Sequence, residues 1–202
     1  MLYGAQNPRP KEEKMPRLPL KSLLCAGLFS LGFASASQAD PLVGEKDIYL
    51  LEQSGERQSL GKINFVPDGQ KSRYTLIWND EKFADHFFSM RPFKCLEGSE
   101  KYWCQVPYPY VNQHHVQSGD LTDLEYDLLF LWKGATDYGI NMWNGVYYRL
   151  EISGEQIVGT LYEMDMDVLS APPSQGEMRP VGPDDLHEAD AASHWLPRLV
   201  IE

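Results

Sequence analysis

Short alternating apolar runs, each closed by glycine-dependent turn chemistry, constrain this chain more than any other feature. Val146 to Glu163 is the clearest case. Tyr148, Leu150 and Ile152 fall on one face, and Ile157, Gly159 and Leu161 answer them across Ser153-Gly154-Glu155, as two antiparallel strands require. Leu51 to Glu56 (LEQSGE) echoes Leu150 to Glu155 (LEISGE). The echo reads as shared turn grammar or as an internal duplication. Asp47 to Gln53, Gln58 to Phe65, Arg73 to Asn79 and Phe83 to Met90 read as further strands, with Pro67-Asp68-Gly69 as a strong turn between two of them. In Gln58 to Phe65, alternation sets Leu60, Lys62 and Asn64 against Gly61, Ile63 and Phe65.

Two cysteines sharpen this picture. Cys95 and Cys104 flank an eight-residue segment that turns about Ser99-Glu100, which sets them opposite one another on adjacent strands and within disulfide reach. Trp103 then points away from the disulfide face. A structural cystine presupposes an oxidising compartment, and the N-terminal region supplies the address. Arg17 and Lys21 form a positive region, Leu23 to Phe33 a short apolar stretch, and Ser37-Gln38-Ala39 a small-residue cleavage signal. Residues 1–39 are therefore expected to be a signal peptide that starts at Met15, behind an upstream extension foreign to the fold. Cleavage is expected between Ala39 and Asp40. A spanning helix needs about 20 consecutive apolar residues, and Lys21 and three serines interrupt this run. The residues before Cys25 do not make a lipid-attachment signal. The expected product is secreted, in the periplasm, with no stable membrane insertion.

Residues 40–202 suit one β-rich domain. Of the 18 basic and 29 acidic residues, five and two precede Asp40, which leaves 13 against 27. So acidic a surface argues against nucleic acid as a partner. Many short antiparallel strands with one or two short helices predict a mainly β fold, an antiparallel barrel or sandwich. A calycin-like barrel suits the length and the meander as an architecture, although no family motif is present. Leu121, Leu124, Leu128 and Leu131 recur at helical spacing between Asp120 and Gly134, which favours a helix there. Tyr126 to Trp132 also suits a buried strand, since periodicity does not separate the two over so short a run. A short helix over Asp184 to Ser193 and a closing strand over Leu196 to Ile201 complete the reading.

The sequence holds no motif that names a reaction. There is no Cys-x-x-Cys, no Gly-x-Ser-x-Gly elbow, no calcium loop and no glycine-rich phosphate loop. The histidines (His86, His114, His115, His187 and His194) show no metal-ligand spacing, so no metal and no cofactor are expected. Carboxylates such as Asp120, Asp123, Glu125 and Asp127 are too abundant to single out a pair. The aromatic residues carry the remaining signal. Pro107 and Pro109 hold Tyr108 and Tyr110 in an extended segment after Trp103, and Trp143 and Tyr147 lie around Asn144-Gly145. Flat rings with polar tips line small-molecule and glycan sites, so Trp103, Tyr108, Tyr110, Trp143 and Tyr147 are the candidate ligand contacts. The sequence favours a non-enzymatic protein that binds a small apolar or glycan-like ligand or an envelope partner. The alternatives are a cell-envelope hydrolase working through carboxylates and a structural or assembly factor of the envelope.

Overall fold

A computed structural model describes residues 40–88, 92–174, 176 and 178–202. The signal-peptide and cleavage expectations for Met15 to Ala39 fall outside the described residues, as do Ser89 and Met90 of one expected strand. Twelve strands form one antiparallel sheet: β1 (Gly44–Leu51), β2 (Arg57–Asp68), β3 (Lys71–Trp78), β4 (Ala84–Phe87), β5 (Pro92–Glu97), β6 (Lys101–Gln105), β7 (His115–Val116), β8 (Phe130–Gly134), β9 (Gly145–Ser153), β10 (Gln156–Met164), β11 (Leu186–Glu188) and β12 (Arg198–Ile201). Their order is β4-β5-β6-β8-β9-β10-β12-β1-β2-β3-β7, with β11 beside β10. The terminal strands β4 and β7 do not pair, so the sheet is open and the expected closed, calycin-like barrel does not form. Among the described residues, no helix is long and apolar enough to cross a membrane.

The β9–β10 hairpin has the register that its alternation predicts, with Tyr148 opposite Leu161, Leu150 opposite Gly159 and Ile152 opposite Ile157. Gly154 takes a positive φ of 65° in the turn, a conformation that glycine adopts without steric cost. Cys95 lies opposite Cys104 and the two are joined.

Strand β2 departs from simple alternation. A register shift between Ile48 and Tyr49 of β1 leaves Leu60 as the extra residue of a bulge. Leu60 therefore joins Ile63 and Phe65 in one core, where alternation alone sets it on the other face. Gly61 completes the bulge at φ 143°, where a Cβ would stand 2.1 Å from the Ile77 carbonyl oxygen.

The stretch from Asp120 to Gly134 is divided. Helix α1 (Thr122–Asp127) is six residues long, and β8 follows within three residues. Both readings of this segment are therefore right for half of it, and the helix to Lys133 is corrected. Leu128, Leu129, Phe130 and Leu131 are all fully buried, which requires two covered faces, and a sheet between two layers supplies them. Asp184 to Ser193 is not a helix. It holds β11 between two 3-10 turns, Pro183–Asp185 and Ala191–Ser193.

Two apolar clusters result. The inner one gathers Ile63, Phe65, Trp103, Phe130, Tyr148 and Leu199, among others. It is spanned by a ring contact of 6.3 Å between Trp78 of β3 and Phe130 of β8, strands from opposite halves of the sheet. The second lies on the other face of β5, β6, β8, β9 and β10, with Cys104, Leu131, Tyr147 and Met164 beneath Tyr126 and Leu169.

Candidate functional site

The second cluster is where the proline segment, α1 and the chain after β10 meet. Pro107 and Pro109 keep this segment out of the sheet, and it lies across the cluster through its tyrosines. Tyr110, Tyr108, Tyr126 and Tyr147 form a continuous series of ring contacts with centroid separations of 5.6, 4.4 and 6.2 Å. The hydroxyl groups tie down the later chain. Tyr110 donates to the Leu169 carbonyl at 2.7 Å and Tyr108 to the Met178 carbonyl at 2.5 Å, and Tyr126 accepts from the Val181 amide at 2.8 Å. Burial pushes the Tyr108 and Tyr126 hydroxyls up to about 12, so they remain protonated donors over the physiological range.

Beside this series opens a cleft of about 540 Å³, whose lining includes Tyr108, Asn112, His115, Asp123, Tyr126 and Arg179. Its polar wall is built around one guanidinium. Arg179 donates from Nη1 to both oxygens of Asp120 at 3.0 and 2.9 Å, and from Nε and Nη2 to Asp123 Oδ1 at 3.1 and 2.7 Å. Asp123 Oδ2 accepts from the His115 amide at 3.1 Å, and its carbonyl accepts from Asn112 Nδ2 at 2.8 Å. For Asp120, burial works upward, but the hydrogen bonds from Arg179 and Thr122 outweigh it and hold the carboxyl below its ordinary value. Arg179 is likewise pulled down by burial and pushed further up by the two carboxylates. The cation is thus matched by two anions before any ligand arrives.

The remaining acidic groups of this region are committed elsewhere. Glu125 accepts from Tyr147 Oη at 2.5 Å and from the Leu150 amide at 2.7 Å. Asp127 accepts from Tyr74 Oη at 2.7 Å and lies 3.3 Å from His114 Nε2. Burial is the first cause that pushes both carboxyls up, yet neither lines the cleft. They peg the short helix to the sheet. Among the described residues, no cluster of three or more His, Cys, Asp or Glu is placed to hold a metal.

Of the residues singled out in the sequence, Tyr108 and Tyr110 come together with Tyr147 through the ring of Tyr126. Tyr147 is buried in the second cluster, beneath the cleft and not in its wall. Trp103 is fully buried in the inner core and, as strand alternation predicts, points away from the disulfide. These two rings are packed inside the fold. Trp143 lies apart from the cleft, 71 % exposed on the 3-10 turn Met142–Asn144. Asn112, Asp123, Tyr126 and Arg179 carry no sequence signal of a site. Arg179 reaches Asp123 across 56 residues of chain, beyond any local spacing rule. No family model, curated protein or solved structure matches this chain.

Proposed function

We propose that this is a non-enzymatic, exported binding protein, its open sheet folded into a sandwich, whose cleft beside Tyr108 takes an uncharged, glycan-like ligand. The observation that carries this reading is the pairing of two surfaces in one recess. The half-buried Tyr108 ring, backed at 4.4 Å by the buried Tyr126 ring, offers flat apolar area for a sugar face. Beside them, Asn112, Asp123 and Arg179 offer planar donors and acceptors for hydroxyl groups. Because Asp120 and Asp123 already neutralise Arg179, the wall offers an anionic ligand little net attraction. Neither burial-perturbed carboxyl lines this cleft, which weighs against a hydrolase working in it, since a catalytic carboxylate must reach the substrate.

The test is titration calorimetry with a neutral β-1,4-linked N-acetylglucosamine tetramer, a neutral glucan tetramer and a uronate oligomer. A neutral oligosaccharide is expected to bind, and Tyr108→Ala is expected to weaken it at least about tenfold, the scale of a lost stacking contact. Silence with both neutral probes contradicts the reading. A second reading, an envelope protein partner, rests on Trp143 and on fully exposed Tyr138 in the β8–β9 connection. Asn141 fixes the turn by accepting from the Trp143 amide at 3.2 Å, so an exposed ring is presented on an ordered loop.

A further inference from the structure

The segment from Asp190 to Leu196 lies against the inner core and carries a buried histidine. His194 is 3 % exposed. Its Nδ1 lies 3.0 Å from both the Asp190 carbonyl and Ser193 Oγ, and Ser193 gives its own proton to that same carbonyl at 2.8 Å. Both neighbours of Nδ1 are therefore acceptors, which places a proton on Nδ1. The other nitrogen, Nε2, stands 3.0 Å from Glu163 Oε1 of β10. This contact is close but lacks hydrogen-bond alignment, and among the described residues Nε2 has no other partner. A bare imidazole nitrogen and a bare carboxylate set two lone pairs against each other at this distance. The contact holds only while a proton lies between the two, because the carboxylate can otherwise turn to water.

The surroundings give that proton no substitute. The rings of Trp103 and Trp132 stand perpendicular to the imidazole at 6.1 and 6.2 Å, and both indole nitrogens are buried without hydrogen-bond partners. The charged groups of each neighbouring element are accounted for. On β10 there is Glu163 itself. His187 of β11 is its cross-strand neighbour. On β6, Lys101 Nζ donates to the Ser193 carbonyl at 2.7 Å and lies 4.4 Å over Trp132. Glu100, in the β5–β6 turn, lines a recess of about 220 Å³ beside the segment. The Asp190 carboxylate accepts from the Ala192 amide at 2.9 Å. Of these charged side chains, only Glu163 is at ion-pair distance from the imidazole.

We propose that His194 and Glu163 form a proton-operated latch that clamps the segment Asp190 to Leu196 onto the inner core. With the proton bound, the segment is held at its middle as well as by Gln53, which donates to the Ala191 and Ala192 carbonyls at 2.8 Å each, and by Tyr148, which donates to the Leu196 carbonyl at 2.6 Å. When the proton leaves, repulsion replaces attraction between the buried imidazole and the partly exposed Glu163 carboxylate. The contribution is thus present at low pH and lost as pH rises. The segment loosens at the His194 side chain while the Gln53, Lys101 and Tyr148 tethers to its carbonyls hold.

The experiment follows amide hydrogen exchange of Asp190 to Leu196, corrected for intrinsic rates, from about pH 5 to about pH 9, the span over which histidines commonly change charge. Protection is expected to fall at least about tenfold relative to β2, the scale of a lost charge-assisted contact. Tryptophan emission should rise in parallel, because an imidazolium quenches neighbouring indoles. Glu163→Gln, whose amide donates to a neutral imidazole, should abolish the pH dependence, and His187→Gln should leave it intact. In the unmodified protein, the His194 ring nitrogen shifts should pass from two protonated nitrogens to one, which keeps the test decisive if the Glu163 variant does not fold. Protection independent of pH, an unchanged pH dependence in Glu163→Gln, or a ring that keeps one protonation state throughout would each overturn the latch.

Discussion

The β2–β3 hairpin and the β6–β8–β9 ladder obey the same alternation and reach different results. In the hairpin, Ile63, Phe65 and Tyr74 enter the inner core while Lys62, Asn64 and Ile77 face water. In the ladder, Trp103, Phe130 and Tyr148 enter the same core, yet Cys104, Leu131 and Tyr147 on the opposite face are buried as well. The strands themselves are alike; the difference is what covers them. The proline segment and the chain after β10 are draped over the outer face of one half of the sheet and leave Lys62, Asn64 and Ile77 of the other half bare. Irregular chain anchored by tyrosine hydroxyls fills a surface less completely than a packed helix, and the cleft is the space that it leaves. The double burial that stabilises this half of the molecule also creates its candidate site.

The sharpest way to break this comparison is to truncate one apolar residue on each side of it. Leu131→Ala, on the covered face of the ladder, should lower the unfolding free energy by about 2–5 kcal/mol, the range for a buried leucine. Ile77→Ala, at a position 55 % exposed, should change it by about 0.5 kcal/mol or less. Denaturant unfolding measures both, and equal costs would show that the two halves are not built differently. Next in size is the cystine. Replacing Cys95 and Cys104 together by serine should cost about 2–3 kcal/mol, as expected for so short a loop, with the strand content retained by circular dichroism. Loss of the fold would mean that the second cluster depends on this crosslink more than on its packing.

The smallest effect expected is a pH slope. Burial raises the Glu125 carboxyl above its ordinary 4.5 in the folded state, so the folded protein binds the proton more tightly than the unfolded chain. The associated stability is full below about pH 4.5 and is lost as pH rises through the folded-state value. Asp127 acts in the same direction, and Asp120 in the opposite one. Glu125→Gln should therefore reduce the destabilisation seen on raising pH from acid, leaving the part due to Asp127. An unchanged slope in denaturant melts at several pH values would remove Glu125 from the account.

Legibility in the sequence follows the same division. The β9–β10 hairpin and the cystine pair were readable to the register, because strand alternation and turn glycines are local. The bulge at Leu60 was not, since it depends on the partner strand and on the Ile77 backbone pressing against Gly61. The run from Leu128 to Leu131 was ambiguous because a strand buried on both faces has no period of its own. Tyr108 and Tyr110 were placed at an exposed, extended segment by their prolines. Tyr126 falls in the ambiguous run to Trp132, and Arg179 belongs to no local pattern. Both became site residues only when tertiary packing brought them to Asp123 and Tyr108.

The most direct measurement is backbone and side-chain NMR perturbation mapping with the neutral N-acetylglucosamine and glucan tetramers. The account predicts saturable shifts at Asn112, Asp123, Tyr126 and Arg179, with Tyr138 and Trp143 unmoved. Shifts confined to Tyr138 and Trp143, or no saturable shift at the cleft with either sugar, would contradict it.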